Sequence, residues 1–131
     1  MVIKNADIVD ANFGNAVRSL SRKEIAVEDS LDLLTSIDQI NARLKIIEQQ
    51  KMIWGDKYVQ KAKDGLFLYR ENGDLLFKSN EDERMFMNNY QELLEQTFEI
   101  ALKKPISISK KDRMSALDLS VLRKALITII D

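Results

Sequence analysis

The proton-moving groups of this chain are almost all carboxylates and lysines, because the sequence holds no histidine and no cysteine. Those absences exclude an imidazole base, a thiolate nucleophile, the usual zinc site and a disulfide. Glu81, Asp82, Glu83, Glu92, Glu95 and Glu99 crowd one stretch, and two apposed carboxylates could hold a metal ion or cleave a glycosidic bond. Their spacing points elsewhere. Glu92, Glu95 and Glu99 recur at three- and four-residue steps, as on a solvated helix face, with no Asp-x-Asp-x-Asp-Gly loop or Glu-x-x-His pair beside them. The glycines at 14, 55, 65 and 73 are too scattered for a phosphate-cradling loop, and the serines have no histidine to activate them. The chain therefore reads as non-enzymatic, with no metal or cofactor implied.

Two other constellations speak of contact. Lys103, Lys104, Lys110, Lys111 and Arg113 fall within eleven residues and could track phosphates, which gives the alternative reading of a nucleic-acid or nucleotide-binding protein. No aromatic is interleaved there to stack on bases, and Lys103 and Lys104 also suit a helix C-terminus. Arg18, Arg22 and Lys23 form a smaller cluster of the same kind. Among the aromatics, Trp54 and Tyr58 continue a helical apolar series, so core packing competes with a role as interface anchors. Phe67, Tyr69 and Phe77 lie on both faces of a short extended segment, where internal packing and contact with a partner weigh equally.

The elements that would carry these residues follow from periodicity. Val9, Phe13, Val17 and Leu20 mark a first helix from about residue 6, and Ser21-Arg22-Lys23-Glu24 has capping-box spacing for the next. Leu33, Ile37, Ile40, Leu44, Ile47, Trp54 and Tyr58 alternate three- and four-residue steps, broken only by Lys51. This predicts one long helix with Ile40, Leu44 and Ile47 buried at its centre, a stripe widened by Leu34, Ile46 and Ile53, and a kink or frayed end at Gly55-Asp56. Asn72-Gly73, between Leu66-Phe67-Leu68-Tyr69 and Leu75-Leu76-Phe77, predicts a β-hairpin over about 65–78 with a type I′ turn. A third helix is expected from about 81 to 102, a brief strand at 106–108, and a last helix carrying Leu117, Val121, Leu122, Ala125, Leu126 and Ile129 to the end of the sequence. No internal repeat is evident at this level.

The fold class is thus mainly α: a long central helix packed against two or three shorter ones, a β-hairpin insertion, and a short N-terminal strand pairing near 106–108. Length suits a single domain over 1–131. Twenty basic residues against 21 acidic ones leave no global field to attract nucleic acid or membrane. No stretch is apolar enough for a signal peptide or a membrane span, which places the protein in the cytoplasm.

VRSLSRKE, the long helix through KMIWGDKY, YQELLEQTFEI and ISISKKDRMSALDLSVLRKAL, in that order, resemble small, mostly helical proteins of unknown function encoded by tailed phages and prophages. The resemblance implies an assembly factor, a minor structural component or an inhibitor of a host protein, acting in the host cytoplasm. It carries no residue roles. Together with the residue types, it leads to the expectation of a protein–protein interaction module that self-associates.

Overall fold

The computed structural model describes residues 1–23, 25–109 and 113–130. The apolar series beginning at Leu33 forms one long helix, α2 (Val27–Tyr58), with Glu28 and Asp29 in its first turn and Lys57 in its last, matching the helix dipole. Leu33, Ile40, Ile47 and Tyr58 are buried, whereas Ile37, Leu44 and Trp54 are half-buried. The stripe is narrower than expected, for Leu34, Ile46 and Ile53 are at least half exposed. Each sits next in sequence to a seam residue, and a one-residue step turns the side chain by about 100°. The helix divides between two compact units, Met1–Leu44 with Gln96–Asp131, and Lys45–Glu95.

In the first unit, β1 (Val2–Lys4) pairs antiparallel with β2 (Thr97–Glu99), setting Ile3 opposite Phe98. The expected pairing of β1 with 106–108 does not occur. β3 (Ile106–Ser109) instead runs parallel to β4 (Ile127–Ile130), with Ile106 opposite Ile127. Both differences have one cause. The Thr97-Phe98-Glu99 and Ile127-Thr128-Ile129-Ile130 segments are rich in β-branched and aromatic residues, which lose side-chain freedom in a helix and fit a pleated surface. Accordingly α3 (Asn80–Glu95) stops short of 102, and α4 (Ala116–Leu122) ends before the final strand.

A 3-10 turn (Asn5–Asp7) precedes α1 (Phe13–Ser21), which begins later than periodicity suggests. Asp10 supplies the stop: its carboxylate accepts from the Asn12 N–H at 2.8 Å and holds the chain in a turn. α1 buries Phe13, Ala16, Val17 and Leu20 and packs on α4, where the Ser19 hydroxyl donates to Asp118 at 2.9 Å. Ser21 closes α1 by donating to the Val17 carbonyl; Glu24, its expected capping partner, lies outside the described residues.

Polar side chains of α2 fix the register of the chain around β2. Ser36 Oγ accepts from the Leu102 N–H at 2.8 Å, Gln39 Oε1 from the Ala101 N–H at 2.7 Å, and Arg43 Nε donates to Asn5 Oδ1 at 2.7 Å. Ser36 and Asn5 are fully buried. These bonds remove most of the cost of burying them.

The second unit joins the C-terminal part of α2 to α3 through residues 59–79. Two turns shape this connection. Gly65 (φ +85°) and Gly73 (φ +89°) occupy the left-handed region, while no non-glycine residue among the described residues does. Asn72 therefore does not form the expected type I′ turn. The Gly73 N–H bonds to the Arg70 carbonyl, and the Arg70 N–H to that of Asp74, which suits a type I turn closed by a left-handed glycine. Ala62 to Leu66 repeats the pattern around Gly65.

The expected hairpin is present and gains a third arm. Antiparallel bridges link Lys61 to Phe67, Tyr69 to Leu75, and Val59 to Phe77. At the centre, the Leu68 N–H donates to Gln60, Leu76 to Leu68, and Gln60 to Leu76, each at 2.9 Å. Three segments eight residues apart thus form a closed ring. The period is present in the sequence as Lys-Asp-Gly at 63–65, Glu-Asn-Gly at 71–73 and Ser-Asn-Glu at 79–81. At the third position the chain enters α3 instead of turning, with the Ser79 hydroxyl accepting from the Asp82 N–H.

Candidate functional site

The residues expected to serve contact separate into an inward and an outward set. Tyr58 is buried, and the Phe77 ring packs tilted at 59° with its centre 5.2 Å from that of buried Phe86, which in turn stacks with Tyr90. Trp54 is half-buried. These three belong to the body of the second unit more than to its surface. Phe67 and Tyr69 differ. With Met52, Asp56, Gly65 and Leu66 they surround a surface recess of about 360 Å3.

Local structure explains the placement. Gly65 turns the chain so that Leu66 and Phe67 return over the last turns of α2, and Phe67 rests against Gly55. A Cβ on Gly55 would lie 2.5, 2.8 and 3.2 Å from three atoms of that ring. Glycine inside a helix costs about 1 kcal/mol relative to alanine; here it clears space for an aromatic. Gly55 therefore does not end the helix, which continues to Tyr58.

Around the seated Phe67 ring, Met52 is 53% exposed, Leu66 67% and Tyr69 61%. Charge borders the recess on one side, where Lys61 lies 2.5 Å from Asp56 and 5.7 Å from the Phe67 ring centre. Nearby along the same segment, Arg70 pairs with Glu83 at 3.0 Å. The recess offers apolar area, a thioether and one phenol, framed by ion pairs. Met52 and Leu66 are not among the expected contact residues, because Met52 is off the seam and Leu66 needs the Gly65 turn to reach the same face. Gly55 was the available signal, a glycine interrupting a long apolar helical series at the point where Phe67 docks.

The carboxylates of α3 disperse into local pairs. Glu81 meets Arg84, Glu83 meets Arg70, and Asp82 accepts from the Ser79 hydroxyl. Glu92, Glu95 and Glu99 are exposed, but Glu99 lies on β2, so the three do not share one helix face as expected. Among the described residues, no group of three or more acidic side chains converges as a metal site would require.

The basic segment is also divided. Lys103 faces Glu28 at 3.6 Å and Lys104 is exposed, while Lys110 and Lys111 lie outside the described residues. Arg113 shares a cleft of about 260 Å3 with Arg22 and Lys23, and the Lys23 ammonium donates to the Arg113 carbonyl. Arg113 of the later segment thus meets two residues of the smaller cluster in the first unit, with Asp118 also in the cleft. No helix among the described residues is long and apolar enough to cross a membrane. No family model, curated protein or solved structure matches the chain.

Proposed function

We propose that this chain is a non-enzymatic protein-interaction module whose contact surface is the Met52–Leu66–Phe67–Tyr69 patch and whose first partner is a second copy of itself. The carrying observation is the exposure of Met52, Leu66 and Tyr69 around a ring seated on the helix by Gly55. Contiguous apolar side chains beside a polar border mark contact sites. Tyr and Met are also enriched at the centres of interfaces. The phage-like order of segments supports a viral setting, with the module serving assembly or the inhibition of a host protein.

Light scattering after size-exclusion chromatography tests the reading. The wild type should associate as concentration rises, and Leu66→Ser with Tyr69→Ser should shift it to monomer while leaving thermal stability nearly unchanged, since both side chains are mostly exposed. A wild type that remains monomeric at the highest attainable concentration would refute self-association.

One observation favours a second reading, phosphate binding: Arg22, Lys23 and Arg113 line one cleft. Single-stranded RNA should then bind with an affinity that falls steeply with salt and is lost in Arg22→Glu/Arg113→Glu. Binding unchanged by the double substitution would remove this reading.

A further inference from the structure

The first unit contains a larger recess, unrelated to the patch above. It occupies about 610 Å3 between α1, the turn before it and the N-terminal part of α2, within the range of roughly 300–1,000 Å3 typical of small-ligand sites. Ile8, Val17, Ile37, Ile40 and Leu44 supply apolar walls.

Gly14 and Arg18 on α1 and Arg22, which caps its C-terminus, are spaced four residues apart, and all three line the recess. Gly14 has negative φ, and a Cβ built on it would meet nothing within 4 Å. Neither backbone geometry nor close packing asks for glycine there. What its missing side chain leaves is open space in the recess. The two arginines, both exposed, follow toward the C-terminal end of α1.

The charges are polarised. Asp10 lies before the other end of α1, with its carboxylate bound to the Asn12 N–H and facing Lys124 at 3.7 Å. An acidic helix laid along the recess would bring carboxylates toward Asp10. A molecule with one anionic head and an apolar tail would meet only the arginines with its charge and pass its tail over Gly14. We propose that this recess binds a single-chain alkyl carboxylate, its head at Arg18 and Arg22 and its tail against Val17, Ile37, Ile40 and Leu44.

Calorimetric titration of the full chain with sodium decanoate, below its micellar range, tests this. Decanoate should bind with one-site stoichiometry, and decyltrimethylammonium, with the same tail and opposite charge, should bind at least tenfold more weakly. Arg18→Gln/Arg22→Gln should weaken decanoate binding tenfold or more, and Gly14→Leu should abolish it by filling the recess. If Gly14→Leu disturbs folding, Gly14→Ser supplies a smaller obstruction that should weaken binding several-fold. Leu66→Ser/Tyr69→Ser should leave binding intact, which separates this site from the self-association surface. Equal binding of the two amphiphiles would overturn the proposal, as would decanoate binding indifferent to both Arg18/Arg22 and Gly14. Sedimentation with phosphatidylglycerol vesicles in the absence of decanoate binding would overturn it in favour of a lipid surface.

Discussion

Replacing Gly55 with alanine should stabilise the protein only when Phe67 is absent. In isolation the substitution favours the helix by about 1 kcal/mol. With Phe67 in place, the new methyl would fall 2.5–3.2 Å from three ring atoms, and the ring must leave its seat. Overpacking of this kind costs about 1–3 kcal/mol, so Gly55→Ala alone should range from neutral to about 2 kcal/mol destabilising. Phe67→Ala alone should cost about 2 kcal/mol, roughly half the usual value for a fully buried aromatic because this ring is half-buried. On the Phe67→Ala background, Gly55→Ala should stabilise by about 1 kcal/mol. The resulting coupling, about 1–3 kcal/mol, is of the size expected for residues in direct contact. Urea unfolding of the four proteins, followed by the fluorescence of the single tryptophan, Trp54, reads the second unit directly because that residue adjoins Gly55. Equal stabilisation by Gly55→Ala on both backgrounds would refute the seating of Phe67 on Gly55.

Three further outcomes can be checked by melting experiments. Ile40→Ala should cost about 2–5 kcal/mol through lost burial and a cavity, with Leu44→Ala costing less because Leu44 borders the open recess, and Glu48→Ala staying within about 0.5 kcal/mol. Ser36→Ala should cost about 1–3 kcal/mol, because the Leu102 N–H beneath it loses its acceptor; a neutral result would mean that water reaches the amide. The Asn12 N–H, with help from Lys124, holds the Asp10 carboxyl below its ordinary value of 3.8. Its contribution is therefore present above about pH 4 and fades as pH falls through the lower folded value. Asp10→Asn should be less stable than wild type at pH 6, with the difference closing toward pH 2; a gap constant with pH would contradict this.

The long helix was legible because its burial rests on a repeating step that local chemistry cannot disguise, and the hairpin because two apolar runs flank Asn-Gly. The ends of α3 and α4 were not. Ile100 and Ile129 fit a helical face as well as a strand, and which they join depends on partners distant in sequence, β1 near the N-terminus for Ile100 and β3 for Ile129. Of the contact residues, Phe67 and Tyr69 were readable from an excess of aromatics on a short segment. Their sorting from Phe77 was not, because it depends on which side of the ring meets Phe86. The eight-residue period escaped for another reason: its signature is a pair of turns and a helix start, and only the first two conserve the glycine.

The ring of residues 59–78 also bears on how this segment opens. Leu68 donates to Gln60, Leu76 to Leu68 and Gln60 to Leu76, so each of the three residues is both donor and acceptor in one cycle. Displacing any arm breaks two of the three bonds, and what remains is a single hairpin, marginal in water. The segment consequently has no stable halfway state. The amides of Gln60, Leu68 and Leu76 should exchange with solvent at one shared free energy of opening, as members of a single cooperative unit, although they lie on three different stretches of chain.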